Sequence, residues 1–143
     1  MAAPPAVAAP LPEGDDARTF RALRATRGHF DGARWSDDVD RWQGRKHLAM
    51  QALASQMLLA HAPAKLLRQS MGAPDGVLDP GQAAHTRAIE QAQWLKAADS
   101  PAAPLKGNPA RLWLYRWRGS HDQLVLALDH GRVVAAGWLH DWE

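Results

Sequence analysis

The segment Tyr115–Asp122, YRWRGSHD, interleaves aromatic rings with arginines and ends in a histidine beside a carboxylate. Imidazole and carboxylate serve both as metal ligands and as general acid–base groups. Near the end of the sequence His140 and Glu143 supply two more, within reach of His121 and Asp122 if the intervening strands pair. One reading is therefore a His121/Asp122/His140/Glu143 group that holds a divalent metal or moves protons. A bland reading competes with it. No HxH or HExxH spacing puts two ligands on one element, and an aspartate ahead of a strand is equally a turn residue bonding its own backbone. The bland reading is favoured.

Arg116 and Arg118 raise a second possibility. Together with Trp138, His140, His121 and Asp122 they would form a surface that offers large contact area and charge-assisted hydrogen bonds to a protein partner. Against this, both arginines could pair with Asp37, Asp38 or Asp40 of a preceding loop. His47, alone on an apolar helix, reads as a buried hydrogen-bonding group. Ser36, Ser55, Ser70, Ser100 and Ser120 have no nucleophile-elbow context, and no glycine-rich phosphate loop is present. No catalytic residue and no cofactor is expected.

The totals set bounds. A chain of 143 residues fits one domain. It contains no cysteine, which removes disulfides and thiolate chemistry. A net charge of +2 is too small to argue for nucleic acid, and no run of about 18 apolar residues suggests a membrane span. Residues 1–14 read as a disordered tail and 15–143 as the domain. The expected compartment is the cytoplasm, or the periplasm or exterior if a signal peptide has been removed, and the expected state is a monomer or weak homodimer.

The elements that must position these side chains follow from periodicity. Ala17, Phe20 and Leu23 mark a short helix from Asp16 to Arg27, stopped by Gly28. The segment 28–44 reads as a loop whose Phe30, Trp35 and Trp42 anchor onto the core. Arg45–Ala60 is apolar nearly all round, with Leu48 and Leu59 opposite the main stripe, and is expected to be buried on more than one face. Pro63 to Gly72 gives the next helix, and Asp79, Pro80 and Gln82 open a third to about Ala98, packed or mobile. The period then changes to two in RLWLYRWR, QLVLALD and RVVAAGWLH. The fold class is α+β: two or three helices, within 16–98, on one face of a three-stranded antiparallel meander, within 111–140.

Register decides which residues share a face. A two-residue turn at His130-Gly131 sets Leu128, Leu126 and Leu124 opposite Val133, Ala135 and Gly137. A four-residue loop at GSHD puts Trp117, Tyr115 and Trp113 on that leucine face. Arg116, Arg118, Trp138 and His140 then share the second, open face.

The helices ending in LLRQSMGAPD, followed by a meander closing in LALDHGRVV, resemble the fold of the small outer-membrane lipoproteins of the SmpA/OmlA (BamE-like) family and of β-lactamase inhibitory protein. That resemblance, over roughly Lys46–His140, implies a non-catalytic protein-binding module, of inhibitor or immunity type, that uses the open sheet face and first hairpin. The chain departs from the lipoproteins in lacking a lipobox cysteine. The motif Trp117-Arg118-Gly119, His121-Asp122, followed by Trp138, His140 and Glu143, is also similar to small uncharacterised bacterial and fungal proteins. The alternative is a small metal-binding protein or enzyme built on His121, Asp122, His140 and Glu143.

Overall fold

The computed structural model describes residues 13–95 and 110–142. The expected 1–14 tail therefore lies almost wholly outside the described residues, as does Glu143. Helix α1 (Asp15–Arg24) carries Asp15 and Asp16 in its first turn and Arg21 and Arg24 in its last, each matching the helix dipole. Its stripe Ala17, Phe20 and Leu23 is buried. A short α2 (Asp37–Asp40) leads to α3 (Arg45–Leu59) and α4 (Ala64–Met71). Gly72 ends α4 at φ 80°, where its N–H reaches the Arg68 carbonyl. Further on lie β1 (Gly76–Leu78), α5 (Ala83–Gln91), β2 (Gln93–Trp94), β3 (Arg111–Trp117), β4 (Gly119–Asp129) and β5 (Arg132–His140).

The α+β class and the β3-β4-β5 meander are as the sequence indicates, and β1 and β2 extend it at both edges into the antiparallel order β1-β3-β4-β5-β2. Helix α5 is shorter than expected. It stops at Gln91 because the chain turns into β2 beside β5. It is packed, with Ala88 fully buried.

Two apolar layers hold the sheet. On one face α1, α3 and α4 bury Phe20, Met50, Leu53, Met57 and Leu67 against Trp113, Tyr115, Trp117, Leu124, Leu126 and Trp138. On the other, Ala88, Ile89, Trp94 and Trp142 cover Leu112, Leu114, Val125, Ala127 and Leu139. The second face is thus closed, not open: its alternate residues are apolar and α5 with the C-terminal tryptophan fills it.

The His130-Gly131 turn is as expected, with both residues at positive φ, 52° and 75°, and Asp129 opposite Arg132. A bulge then intervenes. Leu128 faces Val133 but Ala127 faces Ala135, so Val134 is an extra residue on β5. Leu126 meets Ala136 and Leu124 meets Trp138, which moves Trp138 and His140 onto the leucine face. The first hairpin is also not a plain GSHD loop: the ladder pairs Tyr115 with Leu124 and Arg116 with Gln123, two residues from the expected register, and a bulge then sets Trp117 opposite Gly119. The shift spans an even number of residues, so parity survives: Trp117 is fully buried and Arg116 exposed.

Two further expectations fail. Phe30, Trp35 and Trp42 are 38%, 55% and 56% exposed, and the loop is anchored by Val39 and Asp40, both fully buried. Leu48 and Leu59 are half exposed, since α3 buries one broad face only.

Candidate functional site

The site forms where the first hairpin meets the start of α3 and the end of β5. Asp122 is opposite His140 in the ladder, and its carboxylate is almost wholly buried. Each oxygen has a partner: His140 Nδ1 donates to Oδ1 at 2.6 Å, and Arg118 Nε donates to Oδ2 at 2.8 Å. A carboxylate accepting at Oδ1 requires the proton on Nδ1, which leaves His140 Nε2 for other partners. Arg118 also donates from Nη1 to the Asp40 carbonyl at 3.2 Å, and its guanidinium lies over Trp117 and Phe30, 4.0 and 4.8 Å from the ring centroids. The arginine is therefore a clamp between the hairpin and the loop bearing Phe30.

Gly119 permits this close approach. It sits at φ 53°, and a Cβ there would come within 2.9 Å of the Phe30 carbonyl oxygen. Asp40 fixes the same loop from beneath, accepting backbone N–H groups of His29 and Ser36 at 2.9 and 2.8 Å on Oδ2.

On the α3 side, His47 is stacked on Trp117 with ring centroids 3.8 Å apart, edge-on to Trp138 at 5.2 Å, and 4.6 Å from Trp42. Burial first, then the charges of Arg118 and His140, lowers its pKa to about 4. The Gln43 N–H donates to Nδ1 at 2.9 Å. The neutral ring thus carries its proton on Nε2, 3.1 Å from the Gln51 carboxamide, which must present its oxygen there. Trp42, His47, Gln51, Ser55, Gln93, Leu95, Trp138 and His140 line a groove of ≈ 380 Å³ between α3 and the β2 edge.

The structure brings Arg118, Asp122, Trp138 and His140 together, through the leucine face and not the open one. His121 belongs to a different pair: it stacks on Phe30 at 5.1 Å, and its Nε2 meets Asp141 at 2.9 Å. Among the described residues no three His, Asp or Glu side chains converge as a metal site. Arg116 is separate again, facing a pocket with Arg24, Arg27, Lys46 and Asp75. Neither arginine pairs with the carboxylates of Asp37, Asp38 or Asp40; Arg118 takes only the Asp40 carbonyl.

Trp42, Asp40 and Lys46 do not stand out as site residues in the sequence. Trp42 was legible only as a large side chain, since nothing local says that its neighbours Trp117 and His47 would form a wall behind it. Lys46 resembles any solvated lysine in a first helical turn.

No protein-family model, curated protein or solved structure matches the chain.

Proposed function

We propose that the protein is a non-catalytic binding module whose contact surface is the aromatic belt at the hairpin end of the sheet. Trp35, His29 and Phe30 succeed one another at ring separations of 6.4 and 5.4 Å, and Arg118 bridges Phe30 to Trp117, which adjoins Trp42 at 5.8 Å. The observation that carries the reading is the 38–56% exposure of Phe30, Trp35 and Trp42 on a platform whose other tryptophans are largely buried. Large aromatics beside arginine are the residues on which protein interfaces concentrate binding energy. Clamping by Arg118 and Asp40 lowers the ordering cost of docking. The groove beyond Trp42 is within the size range of side-chain and small-ligand pockets, ~300–1,000 Å³, and would receive one side chain of the partner.

The Asp122–His140 pair could orient an imidazole base. Among the described residues no hydroxyl hydrogen-bonds His140. Ser55, although in the groove, lies eight residues along α3 from His47, about 12 Å by helical rise. Arg118 and His140 each hold one oxygen of Asp122, which supports a positioning role for all three.

A photo-crosslinking residue placed at Trp42 tests the reading. In host extract it should give one discrete adduct that is lost when Phe30 and Trp35 are changed to alanine, while the same residue at Leu59, far along α3, gives none. No adduct at Trp42, or the same adducts from both positions, would overturn it.

A further inference from the structure

A second site lies on the other side of the hairpin and is independent of the belt. Arg24, Thr26, Arg27, Asp31, Lys46, Asp75, Arg116 and Gly119 enclose a polar pocket of ≈ 160 Å³. Its four cations against two carboxylates leave a formal excess of two positive charges. One carboxylate is already committed: Asp75 accepts from Arg24 and from the Arg116 backbone N–H at 3.0 and 2.8 Å. Arg27 spends one Nη2 contact on the Asp31 carbonyl, at 3.0 Å.

Lys46 is the anomaly. The residue is only 4% exposed, and its ammonium donates to a single acceptor, the Trp117 carbonyl at 2.9 Å. An ammonium has three donors, and no ion pair satisfies the others among the described residues. It also sits in the first turn of α3, where the helix dipole disfavours a cation. Burial therefore lowers its pKa to about 8, and the charges of Asp31 and Asp75 only partly oppose this. The Arg116 guanidinium has no partner among the described residues, so two cationic groups with unused donors face one small polar cavity.

We infer that this pocket binds a phosphoryl group, free or as a monoester, with Lys46 as the buried point charge and Arg116 and Arg27 as the guanidinium arms. A dianionic phosphate matches the local excess of charge and supplies acceptors for both guanidinium and ammonium donors. It would also relieve the two penalties on Lys46. The pocket is too small for more than the head group of a larger molecule.

Titration calorimetry with inorganic phosphate at fixed ionic strength and pH 7, chloride as the control anion, provides the test. Saturable one-to-one binding is expected. Arg116→Leu, at an exposed strand position, should weaken it at least tenfold, and Lys46→Met should abolish it while the protein stays folded. Phenyl phosphate should compete for the same site; tighter binding than inorganic phosphate would identify the ester as the natural form, weaker binding the free ion. The assignment is overturned if phosphate gives no more heat than chloride, or if Arg116→Leu binds phosphate as wild type does.

Discussion

The imidazole of His47 lies flat on the indole of Trp117, ring centroids 3.8 Å apart and planes 6° from parallel. This stack joins the first helical turn of α3 to the last residue of β3, and it explains why the histidine resists protonation. A charged ring there would lose its water and stand near Arg118 and His140.

That resistance makes the fold acid-sensitive in a defined window. The native pKa is about 4 and the reference value 6.5. Between them the unfolded chain binds a proton that the native ring does not, so stability rises with pH across this interval and falls on acidification. The whole shift is worth on the order of 3 kcal/mol. Urea unfolding at a series of pH values should show the loss, and His47→Phe should flatten it; an equal slope in the variant would refute the assignment.

Lys46 predicts the opposite end of the scale. Its pKa is about 8 against 10.5 when unfolded, so the unfolded chain again holds the extra proton and stability increases as pH rises from 8. Burial raises the Tyr115 pKa, which removes stability only above the ordinary phenol pKa of about 10. The interval from 8 to 10 therefore isolates the lysine. Lys46→Met should abolish the rise and, in phosphate-free buffer, stabilise the protein at pH 7 by about 1–3 kcal/mol.

Asp122→Asn should cost about 3 kcal/mol, because Arg118 and His140 lose their shared carboxylate in a site where the aspartate side chain is 2% exposed. A double-mutant cycle with Arg118→Met checks the mechanism. The combined loss should be well below the sum of the single losses, and additive losses would mean that the pair is not coupled.

Trp117 and Trp42 should separate stability from binding. Trp117 is fully buried and donates from Nε1 to the Val39 carbonyl at 2.8 Å, so Trp117→Ala should cost about 3–5 kcal/mol. Trp42→Ala, at a 56% exposed position, should cost under about 1 kcal/mol and leave the melting temperature nearly unchanged while removing the adduct formed by a photo-crosslinking residue placed at Trp35. Comparable destabilisation by the two would make Trp42 a core residue.

The sequence was informative where a rule is local. The period-two strands, the His130-Gly131 turn and the Phe20 stripe each follow from neighbouring residues, and the structure contains all three. It was silent where burial depends on distant partners. Asp40 and Lys46 are charged residues that look solvent-facing, yet one ties down a loop through backbone N–H groups and the other reaches a carbonyl 71 residues away. The aromatic loop misled for a related reason: tryptophan content signals large contact area, and only the fold decides whether that area is spent inside the molecule or left outside it.

The extra residue at Val134 has an implication for comparing sequences. Because the bulge absorbs one residue, a related chain lacking one residue between Val133 and Ala135 could run a regular ladder and keep its aromatic and imidazole positions opposite the same partners on β4. A one-residue gap at this point, with the Trp-Leu-His order after it unchanged, would therefore mark descent with the same three-dimensional plan. An alignment scored position by position would count the same change as divergence.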